Sequence, residues 1–134
     1  MAAGHSGTPL AAKLGIKDGS RVLLVRAPAG FDLGALPSGV NVRSHPAGAQ
    51  FDVVLLFCPD RATLVGHFAH LIPALETAGA LWACWPKQAS GVATDLTENG
   101  VREHGLETGL VDVKIAAVDH VWSGLKFVRR LADR

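Results

Sequence analysis

Residues 85–103 read Trp-Pro-Lys-Gln-Ala-Ser-Gly-Val-Ala-Thr-Asp-Leu-Thr-Glu-Asn-Gly-Val-Arg-Glu and follow a strongly apolar run. They bring together an ammonium on Lys87, hydroxyls on Ser90 and Thr94, and a helix-start signature near Thr97. Lys87 supplies positive charge, and the free N–H groups of the coming helix supply donors, the combination that holds a small anion. Arg26 and His120 are further sources of positive charge, Ser123 adds a hydroxyl, and Trp85 and Trp122 offer flat apolar walls. The expected chemistry is binding of a small anionic metabolite or nucleotide fragment. Asp95 and Glu98 lie at the same helix start and compete for its dipole, while Thr94 or Thr97 caps it. If a reaction occurs, His120 is the acid or base, because histidine titrates near neutral pH, and Lys87 is the electrostatic stabiliser.

Several other chemistries lack their residues. Dinucleotide and S-adenosylmethionine sites need a glycine-rich turn after the first strand and an acidic residue about 20 positions later. The turn here is Arg26-Ala27-Pro28-Ala29-Gly30-Phe31, with one glycine and a proline that removes a donor, and residues 40–44 carry no carboxylate. There is no P-loop. Ser90-Gly91 and Ser123-Gly124 lack the preceding glycine of a nucleophile elbow. His67 and His70 share no spacing with a carboxylate or cysteine that would complete a zinc site. No cofactor and no metal is expected.

The elements that must position these residues follow from apolar periodicity. Thr8 and Pro9 start a short helix over residues 10–14, and Gly15 stops it. Residues 21–26 and 51–58 are apolar, β-branched runs closed by Pro28 and Pro59, the pattern of strands buried on both faces. Residues 31–36 make one or two helical turns, and residues 40–43 a brief strand. After Asp60, Leu64, Phe68, Leu71 and Leu75 recur at helical spacing, with Pro73 tightening the end. A third strand covers residues 80–85. A helix follows over residues 97–107, weakened by Gly100 and Gly105. Strands over 111–118 and 125–129 close the chain, and the short link between them favours an antiparallel pair.

The 134 residues, 49% hydrophobic with a mean hydropathy of +0.26, suffice for one α/β domain over residues 1–134. A net charge of +1, with 13 basic and 12 acidic residues, gives no basis for nucleic acid or an anionic membrane surface. The basic tail of Lys126, Arg129, Arg130 and Arg134 reads as a solvated edge. Cys58 and Cys84 cannot make a disulfide framework and read as small buried hydrophobes. No apolar run spans a bilayer and the N-terminus has no export pattern, so a cytoplasmic location is expected.

The order of pieces from Phe51 onward resembles the second half of S-adenosylmethionine-dependent methyltransferases. That resemblance implies a three-layer, Rossmann-like, mostly parallel sheet with an antiparallel C-terminal strand. Residues 44–50 reach only about 23 Å, barely enough for a helix-free parallel crossover. One strand and one helix of the methyltransferase pattern therefore look deleted, and the N-terminal helix would cover the bare sheet face.

The segments Ser6-Gly7-Thr8-Pro9-Leu10, Trp85-Pro86-Lys87, Ser90 to Leu96 and Trp122-Ser123-Gly124-Leu125-Lys126 also resemble a small bacterial family of unknown function. That resemblance carries no reaction, cofactor or catalytic residue with it. Two alternatives stand beside ligand binding. One is a protein-interaction or scaffold module, including a homodimer, that uses Leu125, Phe127 and Val128 on an exposed sheet edge. The other is an enzyme built on His120.

Overall fold

The computed structural model describes residues 8–134, so Ser6 and Gly7 of the first motif lie outside the described residues. The elements are α1 (Leu10–Leu14), β1 (Arg21–Val25), β2 (Asn41–Arg43), β3 (Phe51–Phe57), α2 (Arg61–Leu71), β4 (Leu75–Pro86), α3 (Glu98–Glu107), β5 (Leu110–Ala117) and β6 (Trp122–Arg129). Single 3-10 turns follow α2, β4 and β6. All six strands form one sheet in the order β2-β1-β3-β4-β6-β5. The β2-β1-β3-β4 pairs are parallel, and β6 runs antiparallel to both β4 and β5. This is the Rossmann-like architecture with an antiparallel C-terminal end that the sequence implied.

Alternation along the strands divides the core between the two sheet faces. Val54, Leu56, Leu81, Ala83, Trp85, Leu125 and Phe127 pack with Leu64 and Phe68 of α2 and Val101 of α3. Val53, Leu55, Phe57, Trp82 and Cys84 pack on the opposite face with Ala11, Leu14 and Ile16. The N-terminal helix therefore does cover the second face, and the Trp82 indole N–H donates to the Leu14 carbonyl at 3.2 Å. Pro9 occupies the cap position itself, one place before the expected first turn.

Several boundaries differ from expectation for local reasons. Residues 31–36 form no helix. The Asp32 carboxylate accepts from the Gly34 N–H at 2.8 Å, and such a local side-chain turn competes with helical hydrogen bonding. The short link 44–50 suffices because β2 has only three residues. Arg43 lies level with Leu23, and Val53 level with Val22. The chain steps back about 10 Å and crosses two strand spacings, roughly 14 Å in all. Gly79 lets β4 begin at Leu75, because a Cβ there would meet the Phe51 carbonyl oxygen at 2.8 Å. The strand β6 is interior, with Leu125 and Phe127 buried, so the edge at the C-terminal end of the sheet is β5 and not the last strand. The edge strand β5 carries a bulge between Asp112 and Lys114, a device that blunts edge-to-edge pairing. Among the described residues no helix is long and apolar enough to cross a membrane.

Candidate functional site

At the carboxyl end of β4 the chain leaves the sheet through Pro86 and makes a 3-10 turn over Gln88–Ser90 before α3. The Lys87 N–H donates to the Val121 carbonyl at 2.8 Å, tying this exit to the β5–β6 turn. The Ser90 hydroxyl donates to the Lys87 carbonyl at 2.7 Å and accepts from the Val92 N–H at 3.1 Å. Ser90 is thereby spent on shaping the loop. Thr94 donates to the Pro59 carbonyl at 2.8 Å and accepts from the Leu96 N–H, pinning the loop to the exit of β3.

Thr97 is the N-cap of α3 and accepts from the Gly100 N–H at 3.1 Å. Asp95 serves a different helix, accepting from the Arg61 N–H at 2.8 Å beside the Asp60 cap of α2. The N-terminus of α2 is therefore closed by two carboxylates. Hydrogen bonds from Thr63 hold the Asp60 carboxyl below its usual range. Glu98 pairs with Arg102 at 2.7 Å, and Arg102 also reaches Asp112 at 2.8 Å. Those two contacts raise the Arg102 pKa, Glu98 contributing most.

Between this loop, the start of α3 and strands β5 and β6 lies a cleft of about 590 Å³. Trp85, Lys87, Thr94 and Ser123 line it, joined by Glu98 and Ile115. The other expected residues lie outside its lining. Trp85 pairs with Ser123 and Pro86 with Trp122 across the β4–β6 ladder, so Trp122 points to the opposite face from Trp85. There Trp122 meets Phe57 edge-on at 5.2 Å, and Phe57 meets Phe31 at 4.8 Å. The two tryptophans do not form two walls of one pocket. His120 is exposed on a turn that Asp119 folds by accepting from the Val121 and Trp122 N–H groups. Arg26 is exposed at the end of β1 with a left-handed φ of 60°.

The switch point of the sheet, between β1 and β3, is where a doubly wound fold usually receives its ligand. Here no helix follows β1, and the chain lays Phe31 on Phe57 instead. Cys58, at the exit of β3, is 1% exposed, and burial pushes its thiol up to about 12. Cys84 is raised for the same reason. Cys58 and Cys84 face opposite sides of the sheet. Among the described residues no group of three or more His, Cys, Asp or Glu is placed to hold a metal ion.

Ile115 escaped the sequence reading, and Glu98 entered it only as a competitor for the helix dipole. Ile115 enters because β5, a strand distant in sequence, forms the outer wall beyond β6. Glu98 was visible as part of the helix start, but its engagement by Arg102 depends on where α3 sits.

No protein-family model matches the sequence, and no curated protein matches it. Solved structures do resemble the fold. A TehB-like SAM-dependent methyltransferase from Corynebacterium glutamicum superposes with a TM-score of 0.57 at 11% identity, covering 96% of this chain and 91% of that one. The Burkholderia thailandensis 1,6-didemethyltoxoflavin-N1-methyltransferase gives 0.58 at 15% identity, covering 90% and 74%. The ribosomal protein L11 methylase of Lactobacillus delbrueckii subsp. bulgaricus gives 0.55 at 11%, covering 84% and 71%. The chain thus has a methyltransferase-like Rossmann fold, a statement about architecture that leaves its chemistry to be read from its own residues.

Proposed function

We propose that the protein is a cytoplasmic, non-catalytic domain that binds a small anionic metabolite or nucleotide fragment in the cleft beside Lys87. The carrying observation is the convergence on that cleft of Lys87 and the first turn of α3. Both ion pairs found among the described residues belong to Arg102, so Lys87 has no carboxylate within ion-pair range there. Thr97 caps the Gly100 N–H, while Glu98 and Asn99 begin the helix. Helix-start N–H groups and an ammonium favour a negatively charged group. Glu98, already bonded to Arg102, sets one polar limit of the cleft, and Trp85 and Ile115 give it apolar surface. The exit of β1 supports a role other than methyl transfer, since it has neither a glycine-rich turn nor a following helix.

A thermal-shift screen of anionic metabolites, run beside S-adenosylmethionine, tests the proposal. An anionic compound should raise the melting temperature of the protein, and Lys87→Ala should abolish that rise. S-adenosylmethionine should produce no shift. Saturable binding of S-adenosylmethionine, or a ligand response that persists in Lys87→Ala, would overturn the assignment.

A further inference from the structure

A second concentration of positive charge lies on the other face of the sheet, around the end of α1. Lys114 and Lys126 stand directly opposite each other in the β5–β6 ladder. Both side chains belong to the α1 face. Lys126 is in register with Trp82, which packs there, and the Lys114 ammonium donates to the Lys13 carbonyl at 3.3 Å. The Lys126 Nζ lies 3.8 Å from the position of a Cβ on Gly15, the left-handed cap of α1. Lys17 follows that cap. Like charges opposite each other across two strands are destabilising. No carboxylate within ion-pair range offsets these lysines among the described residues. The nearby Asp18 and Asp52 carboxylates accept from the Ser38 and Arg21 N–H groups.

We propose that Lys17, Lys114 and Lys126 form a second anion site, for a compact, multiply charged group such as the phosphate or pyrophosphate of a small metabolite. Lysine binds such groups as a point charge, and a multivalent anion placed between the ammoniums replaces their mutual repulsion with attraction. Partial burial, followed by Lys114 and then Lys17, lowers the pKa of Lys126. The Lys13 carbonyl already satisfies part of Lys114, so the vacant donors are concentrated on Lys126 and Lys17. A compact ligand is favoured over a nucleic acid because the positive charge is one focus on a chain of net charge +1, without the extended basic stripe a polyanion tracks. The site goes beyond the Lys87 cleft and is separated from it by the thickness of the sheet.

The test uses inorganic pyrophosphate as probe, with inorganic phosphate in parallel, followed by calorimetry and NMR of the lysine side chains. Saturable binding is expected, with the largest changes at Lys126, Lys114 and Lys17. Lys126→Gln and Lys114→Gln should each weaken it by about tenfold. Lys87→Ala should leave it unchanged, so failure here and failure of the cleft are distinguished. Without the probe, Lys126→Gln should melt no lower than the parent protein, because the substitution removes repulsion. Equal perturbation of all lysines, binding unaltered by both glutamine substitutions, or binding lost only with Lys87 would overturn the assignment.

Discussion

Gly105 sits on the face of α3 that presses on Phe127, and replacing it with alanine should break the packing of the site's supporting helix. A Cβ at this position would lie 2.6 Å from Cδ2 of Phe127 and nearer still to Cε2 and Cζ. Phe127 is fully buried, and Phe68 stands edge-on to it with centroids 5.1 Å apart. Neither ring has room to retreat, so α3 itself must move outward by about 1.5 Å to restore ordinary carbon contact. Overpacking on this scale costs about 3 kcal/mol. Alanine's better helix propensity returns about 1 kcal/mol. The net loss is roughly 2 kcal/mol, and with an unfolding entropy of about 0.28 kcal/mol/K for this length the melting temperature falls by about 7 °C. Gly66 in α2 is the control, because a Cβ there meets nothing within 4 Å. Gly66→Ala should gain about 0.5–1 kcal/mol and melt about 2–4 °C higher. Circular dichroism melts of both variants decide the matter. If Gly105→Ala melts at or above the parent protein, the proposed contact between α3 and the sheet is wrong.

Two further predictions concern titratable groups. The His104 Nε2 is buried without a hydrogen-bond partner, and the ring stands edge-on to Phe68 at 5.6 Å. Burial, then Arg61, lowers its pKa, so the folded state holds it neutral while the unfolded chain takes up the proton more readily. Its contribution to stability is therefore present above the unfolded pKa of about 6.5 and is lost as pH falls below it. Urea titrations from pH 7.5 to pH 5 should show this loss, and His104→Phe should flatten it; an unchanged pH slope would refute the assignment. The buried, raised thiols of Cys58 and Cys84 should resist a thiol-reactive dye in the folded protein and both react in denaturant, and fast labelling of the native protein would contradict their burial.

Much of the fold was legible because apolar runs of strand length need two covered faces. The sequences Val53-Val54-Leu55-Leu56-Phe57 and Ala80 to Trp85 could be satisfied only inside a sheet with material on both sides. The short crossover 44–50 likewise announced a shortened parallel unit. The exchange of roles between β5 and β6 was not legible. Both final strands alternate, and their order depends on which one meets β4. The helical turns expected over residues 31–36 failed because an Asp32 turn and the aromatic contact of Phe31 with Phe57 competed with them.

For the site, the sequence by itself determined that Lys87, Thr94 and the start of α3 follow β4 at the carboxyl edge, since chain order and capping residues are local properties. Tertiary structure alone decided which residues share the cleft. Side chains on adjacent positions of a strand point to opposite faces, so Trp85 and Ser123 line it while Trp122 lies behind the sheet. It also decided that Asp95 caps α2, that Glu98 belongs to Arg102, and that Lys114 and Lys126 face each other. Each of these is a contact between segments whose register is fixed by the packing of the whole sheet, and no local pattern specifies it.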